Sequence, residues 1–230
     1  MAGRPTPALL PVPLRGWLGP IGGLAALLVV ALGVLYADDS RPGAVDARIW
    51  AAVEGVRAPW RGVALATDFL GEPVGAAALV AVAVTGCLLL RCPRAAVLVV
   101  VGPGLAVGAT KLLKPLVGRT IHGDGNLSYP SGHTAFLTAL ALAVALVATG
   151  RLGLGRMTGT VLVLVSALVA GAAMGWAQVV LGAHYPTDVL GGWCTASAVV
   201  PATAWLVDGA AGRVAGRSAD KADTGRPDRS

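Results

Sequence analysis

Charged residues are scarce in this sequence. Asp, Glu, Lys and Arg make up 13% of its 230 residues, whereas hydrophobic residues make up 55%. Ordinary soluble domains contain about 25% charged residues, so this composition excludes that class. Six apolar runs approach the roughly 20 residues that cross a bilayer as a helix; they cover residues 17–36, 74–90, 95–113, 134–149, 157–176 and 189–207. The sequence predicts an all-α polytopic membrane protein with six transmembrane helices.

The chain also lacks an internal repeat and a polar stretch long enough for a separate soluble domain. We predict a single membrane domain at residues 17–207. The Pro-rich, basic segment 1–16 and the polar, charged segment 208–230 have compositions that are typical of disordered termini. We therefore expect a disordered tail at each end of the membrane domain.

Cysteine is rare, and the three cysteines have no spacing typical of a metal site or a disulfide framework: Cys87, Cys92 and Cys194. They are expected to be small apolar fillers. No cluster of carboxylates of the kind that binds magnesium or zinc stands out along the sequence. We predict that the protein uses no metal and no cofactor.

Basic residues outnumber acidic ones, and the net charge is +6. Their distribution points to a membrane rather than to nucleic acid, because short cytoplasmic loops are rich in Lys and Arg. The two tails are basic, and so are the second and fourth junctions between apolar runs, which carry Arg91, Arg94, Arg151 and Arg156. The pattern predicts a plasma-membrane protein with both termini in the cytoplasm. The sequence does not indicate the oligomeric state.

The segment at residues 46–60 lies between the first two runs and has its own pattern. Its apolar residues recur at helical spacing: Ile49, Trp50, Val53, Val56 and Trp60. One interpretation is a helix in the outer interface with its indoles at headgroup depth. The other is an ordinary helix packed between two spans. Both stay open from the sequence.

Histidine is equally rare, and two of the three histidines lie in polar motifs that precede apolar runs. The first motif, residues 129–134, reads Tyr-Pro-Ser-Gly-His-Thr. Ser131 is a good helix N-cap, and Gly132 would let the backbone approach an anion closely. The start of a helix is a ready phosphate site, and His133 would lie beside it. The alternative is a capped helix start with an interfacial histidine.

The second motif, residues 182–188, reads Gly-Ala-His-Tyr-Pro-Thr-Asp. Pro186 fits the first turn of a helix, so His184 and Asp188 are expected to approach on one face. A carboxylate that holds one ring nitrogen leaves the other free to attack. The alternative is that Asp188 only favours the helix N-terminus by its charge.

A basic stretch, residues 111–119, closes the third run and leads toward the first histidine motif. Lys114 and Arg119 could contact phosphate, as a point charge and as a bidentate fork. For Lys111 we favour a side chain that snorkels to the membrane edge.

These segments together resemble the type 2 phosphatidic acid phosphatase (PAP2) family, the membrane branch of the superfamily that includes vanadium haloperoxidases. That family carries a Lys-x6-Arg-Pro motif, a Pro-Ser-Gly-His motif and an Arg-x5-His-x3-Asp motif. The second motif matches in full at residues 130–133, and the third matches at His184 and Asp188. Motif order, spacing and the expected six spans also agree.

The resemblance implies an integral membrane lipid phosphatase that needs no metal. His184 would be the nucleophile that becomes phosphohistidine, Asp188 would orient it, and His133 would protonate the leaving oxygen. Phosphate oxygens would be bound by Ser131, Gly132 and Lys114, with Arg119 and Gln178 as further candidates. The substrates expected for such a site are a polyprenyl diphosphate such as undecaprenyl diphosphate, a phosphatidate-like lipid or a lipid-linked phosphosugar. The charge pattern would place this site outside the cytoplasm.

The chain departs from the family at both motif arginines. Ile121 occupies the first arginine position, and Gln178 occupies the second. Arg119 is a candidate replacement, whereas Gln178 brings a donor without a charge. Losing one charged donor to a phosphoryl transition state costs on the order of 100-fold in rate. A weakened or silent relative that binds phospholipid headgroups and a lipid phosphotransferase are therefore the alternatives.

Overall fold

The computed structural model describes the backbone of residues 8–224 and the side chains of residues 8–213. Within that part the chain is helical, with no strand and one isolated bridge between Thr120 and Leu127. The predicted all-α class is confirmed. The helices are α1 (Val12–Leu35), α2 (Ala44–Val53), α3 (Trp60–Phe69), α4 (Pro73–Leu89), α5 (Pro93–Val117), α6 (Gly132–Leu152), α7 (Arg156–Val180) and α8 (Pro186–Thr224).

Five of these helices, α1, α5, α6, α7 and α8 up to Arg213, are long and apolar enough to cross a bilayer. The chain is an integral membrane protein. The second predicted span, residues 74–90, coincides with α4, which has only 17 residues. At 1.5 Å per residue it covers about 25 Å, less than a typical hydrocarbon core. The number of spans becomes six if α3 and α4, which meet at a bend of 65°, are counted together as one broken span. The count of six therefore stays a prediction.

The single helix predicted at residues 46–60 is wrong, because the structure has two helices here. Helix α2 ends at Val53, and α3 begins at Trp60. Gly55 adopts a left-handed φ of +83°, and Pro59 disfavours helical geometry in the residue before it. Helix α2 packs against α7 and α8. Its position at the membrane interface stays a prediction.

Helical structure continues beyond the predicted limits of the membrane domain. Helix α1 begins at Val12, and α8 runs through the expected second tail to Thr224. Before α1, the N–H groups of Leu9 and Leu10 each donate to the Asp208 carboxylate at 3.0 Å. This long-range contact ties the residues before α1 to α8. Residues 1–7 and 225–230 of the predicted tails lie outside the described part.

Helix α6 lies at the centre of the bundle, where it packs against α5, α7 and α8. The most apolar windows of α6 and α8 are 56% buried, twice the 28% of α1 and α7. These two central helices begin side by side, because the N–H of Ser131 donates to the carbonyl of Asp188 at 2.9 Å. The two histidine motifs therefore meet at one end of the core.

Candidate active site

The start of α6 has the geometry that the sequence predicts. Ser131 is the N-cap, and its Oγ accepts a hydrogen bond from the N–H of Thr134 at 3.4 Å. The following helix presents its remaining N–H groups and its positive dipole end, which favour an anion. Gly192 of α8 makes the close approach possible, because a Cβ there would lie 2.3 Å from the carbonyl oxygen of Ser131.

The start of α8 brings the second histidine to its carboxylate. The helix begins at Pro186 as predicted, and the Nδ1 atom of His184 lies 3.6 Å from Oδ2 of Asp188. That distance is too long for a hydrogen bond, but such contacts often tighten when substrate binds. Burial lowers the pKa of the His184 imidazole below its usual range, and the nearby Asp188 carboxylate opposes this shift. A neutral imidazole next to a carboxylate can act as a nucleophile.

The structure does not place Arg119 at the start of α6, where phosphate was expected to bind. Its guanidinium is fully buried behind Asp188, where Nη1 donates to Oδ1 of Asp188 at 2.7 Å and Nη2 donates to Oδ2 of Asp46 at 2.8 Å. We expected Arg119 to bind phosphate and to replace a missing family arginine, but its guanidinium is paired with two carboxylates instead. Arg119 forms a buried ion pair with Asp188.

A cleft of about 690 Å³ connects the two histidines with the side of the bundle. Gly132, His133 and His184 lie at its polar end. Lys114 also lines it, and its ammonium group donates to the carbonyl of Leu127. Glu72 before α4 and Phe136 of α6 line it too. Most of the other lining residues come from α4 and α5 and are small and apolar, among them Ala76, Ala77, Val80, Val100, Gly104 and Val107. Lys111 borders the same cleft, so its charge is available there as well.

Two carboxylates that the sequence analysis did not single out lie against His133. The Nε2 atom of His133 is 3.4 Å from Oε1 of Glu72 and 3.8 Å from Oδ1 of Asp68. Among the described residues, these three offer ligand atoms within 4.8 Å of one another and could hold a metal ion. They can equally form ion pairs with a protonated imidazole. The sequence feature that could have revealed this cluster is the pair Asp68 and Glu72, which lie four residues apart just before α4.

Gln178 contacts this same group of acids and does not lie at the start of α6. Its Nε2 donates to Oδ1 of Asp68 and also approaches the sulfur of Met174 at 3.8 Å. The side chain is buried at the end of α7 and does not line the cleft. Ile121, in the other arginine position, is buried as well.

The family comparison agrees with this geometry. A family model for the PAP2 superfamily matches residues 95–211, which is just over half of the 230-residue chain. The chain belongs to the PAP2 superfamily. The match covers α5 to α8 and therefore includes the basic stretch and both histidine motifs of this PAP2 chain.

A solved structure supports the same fold. The crystal structure of a transmembrane PAP2-type phosphatidylglycerolphosphate phosphatase from Bacillus subtilis is similar to this chain, with a TM-score of 0.64 at 22% sequence identity. The similarity covers 84% of this chain and 96% of that one. A likeness at this identity supports the fold alone. Comparison with curated protein sequences found no match.

Proposed function

We propose that this PAP2 protein is a lipid phosphatase that hydrolyses a phosphate or pyrophosphate monoester through a phosphohistidine intermediate. One observation carries the proposal: His133 and His184, from two different motifs, line the polar end of one cleft. A nucleophile and a proton donor that share a site can perform both halves of phosphoryl transfer.

In this mechanism a lone pair on the His184 imidazole attacks phosphorus and forms an N–P bond. The bond from phosphorus to the lipid oxygen breaks, and His133 gives its proton to that oxygen. Water then attacks phosphorus and passes a proton to His133. The N–P bond breaks, its electron pair returns to the His184 imidazole, and inorganic phosphate is released. Asp188 holds the His184 imidazole and stabilises the positive charge that it gains. Lys114 and the first N–H groups of α6, beside Ser131 and Gly132, stabilise the phosphate oxygens.

The shape of the cleft favours a lipid substrate. Its apolar wall lies between α4 and α5, so an acyl or prenyl chain could remain in the bilayer while the headgroup reaches the histidines. Phosphatidate-like lipids, polyprenyl diphosphates and lipid-linked phosphosugars all meet this requirement. The similar Bacillus subtilis protein is named for phosphatidylglycerolphosphate, which adds another phosphate monoester of a lipid. The basic junctions support a site on the extracytoplasmic face of a plasma membrane.

The test is phosphate release by purified protein in detergent with EDTA present. The substrates are phosphatidate, lysophosphatidate, phosphatidylglycerolphosphate and a polyprenyl diphosphate. We expect release with at least one of them and its loss in His184→Ala and in His133→Ala. His122→Ala is the matched control, because His122 is the third histidine and donates to the Gly182 carbonyl at 2.7 Å without lining the cleft. Equal rates in wild type and His184→Ala would refute the phosphohistidine route.

A second candidate is a silent relative that binds phospholipid headgroups. This candidate is supported by the absence of both family arginines. Ile121, in one arginine position, is buried, and Gln178, in the other, donates a hydrogen bond to Asp68. No release from any substrate, together with saturable binding to phosphatidate vesicles, would favour this candidate.

A further inference from the structure

We infer that Asp46 of α2 is a positioning residue that acts through Arg119 on Asp188, the carboxylate that orients His184. The inference rests on the proposed function. It adds to the site a residue from outside the three family motifs and outside the residues that the family model matches.

The contacts form one continuous chain of buried polar atoms. Arg119 donates to Asp46 and to Asp188 through different nitrogens, at 2.8 Å and 2.7 Å, and all three side chains are 0% exposed. Thr187 joins them, because its hydroxyl accepts from Arg119 at 2.6 Å and donates to Asp46 at 2.9 Å. The N–H of Thr187 also donates to Asp46 at 2.9 Å. Asp46 is thereby tied to the first turn of α8 by two hydrogen bonds, both from Thr187.

The guanidinium in the middle of this chain has little freedom to move. The ring of Tyr36 lies 4.0 Å from its central carbon, and the ring of Tyr185 lies 4.4 Å from it. Aromatic faces attract a guanidinium, and contacts with two rings restrict it to one plane. The remaining oxygen of Asp188 accepts from the N–H of Tyr185 at 3.0 Å. Both carboxylate oxygens of Asp188 are therefore held in place.

The charges explain why a second acid is needed. Arg119 alone would neutralise Asp188 in a dry region, and His184 would then face a pair with no net charge. With Asp46 the three groups carry one net negative charge, so Asp188 can still stabilise the imidazolium that forms during the reaction. The other charged or titratable groups that influence His184 are Lys114 on α5 and His133 on α6.

The first experiment compares Asp46→Asn with Glu54→Gln, which removes one negative charge at the exposed end of the same helix. We expect Asp46→Asn to lower kcat on the order of 10- to 100-fold, as loss of a group that orients an active-site ligand typically does, with KM within about 2-fold of wild type. Glu54→Gln should retain wild-type kinetics. An unchanged kcat in Asp46→Asn would overturn the inference.

A second arm separates positioning from a general effect on folding. Removal of the Asp46 charge makes protonation of His184 less favourable, so its pKa falls and its neutral form persists to lower pH. The acid limb of kcat/KM should therefore move to lower pH in Asp46→Asn but not in Glu54→Gln. With only three histidines in the chain, the same shift is measurable by NMR titration of labelled imidazoles. An unmoved His184 titration would refute the inference even if the wild type showed no turnover.

The route through Arg119 has its own test. In a double-mutant cycle, Asp46→Asn should have little further effect on kcat in an Arg119→Gln background. Additive losses would show that Asp46 does not act through Arg119. If Asp46→Asn fails to fold, Thr187→Val removes one hydroxyl and leaves every charge in place. It should lower kcat by about 3- to 10-fold with an unchanged KM, and wild-type kinetics in that variant would also count against the network.

Discussion

Substitution of Gly192 by alanine provides a sharp test of how α6 and α8 build the candidate site. A Cβ at this position would lie 2.3 Å from the carbonyl oxygen of Ser131, whereas real Cβ contacts almost never fall below 3.0 Å. The obstacle is backbone at the N-cap of α6, so no side-chain rotation can relieve it. The two helix starts must separate by at least 0.7 Å, the difference between these distances.

A shift of that size acts directly on the contact between the two motifs. Along the hydrogen bond from the Ser131 N–H to the Asp188 carbonyl, it would stretch the present 2.9 Å to about 3.6 Å, beyond a hydrogen bond. A misplacement of about 1 Å at reacting groups can cost on the order of 100-fold in rate. Overpacking of this kind also destabilises a core by about 1–3 kcal/mol.

The assay is kcat for phosphate release together with thermal unfolding in the same detergent. Gly192→Ala should lose about 100-fold in kcat and unfold at a lower temperature. Gly212→Ala is the matched control on α8, because nothing lies within 4 Å of a Cβ added there. Wild-type kcat and unfolding temperature in Gly192→Ala would refute the proposed close approach of the two helix starts.

Three further predictions concern charge, pH and the lipid path. Gln178→Arg should not raise kcat/KM in phosphate-release assays, because residue 178 is buried against Asp68 and does not line the cleft, so an arginine there would pair with Asp68 and not with the phosphate; a gain on the order of 10-fold would show that this position does reach the phosphate. Because burial lowers the pKa of His184, the neutral nucleophile should persist into mild acid, and the acid limb of kcat/KM should have its midpoint below pH 6.5; a midpoint above that value would contradict a dry, neutral nucleophile. Gly104→Trp, in the apolar wall of the cleft, should raise KM for a long-chain lipid by about 10-fold but not for a short-chain one, whereas Gly108→Trp, outside that wall, should leave both unchanged. Equal effects on both chain lengths would argue against entry from the side.

Local sequence signals predicted the parts of the site that depend on nearby residues. A Ser directly before an apolar run favours the start of a helix whatever the length of the run, and Ser131 is the N-cap of α6. Proline favours the first turn, and α8 begins at Pro186. The order of the motifs also indicated that His133 and His184 would share a site, and both line one cleft.

Contacts between segments that are far apart in the chain could not be predicted from local sequence patterns. Arg119 looked like a phosphate ligand because it follows Lys114 closely, yet its partners come from α2 and α8, 73 and 69 residues away. Asp46 begins the segment at residues 46–60 and was not singled out from the sequence, yet it is fully buried. The break between α2 and α3 could have been predicted from Gly55 and Pro59. It was missed because the apolar residues keep a helical spacing across it. A charge can be assigned to a partner only when the fold is known.

The buried guanidinium has a consequence for how this protein is made. Arg119 is surrounded by residues of α1, α2 and α8, so its last partners are synthesised about 70 residues after it. Until α8 is inserted, Arg119 and Asp46 remain paired only with each other, and burial of such an incomplete cluster is costly. We therefore expect the end of the bundle that holds the two histidine motifs to close only after the final helix has entered the membrane. Nascent chains that stop before Pro186 should be recognised as unfinished and degraded.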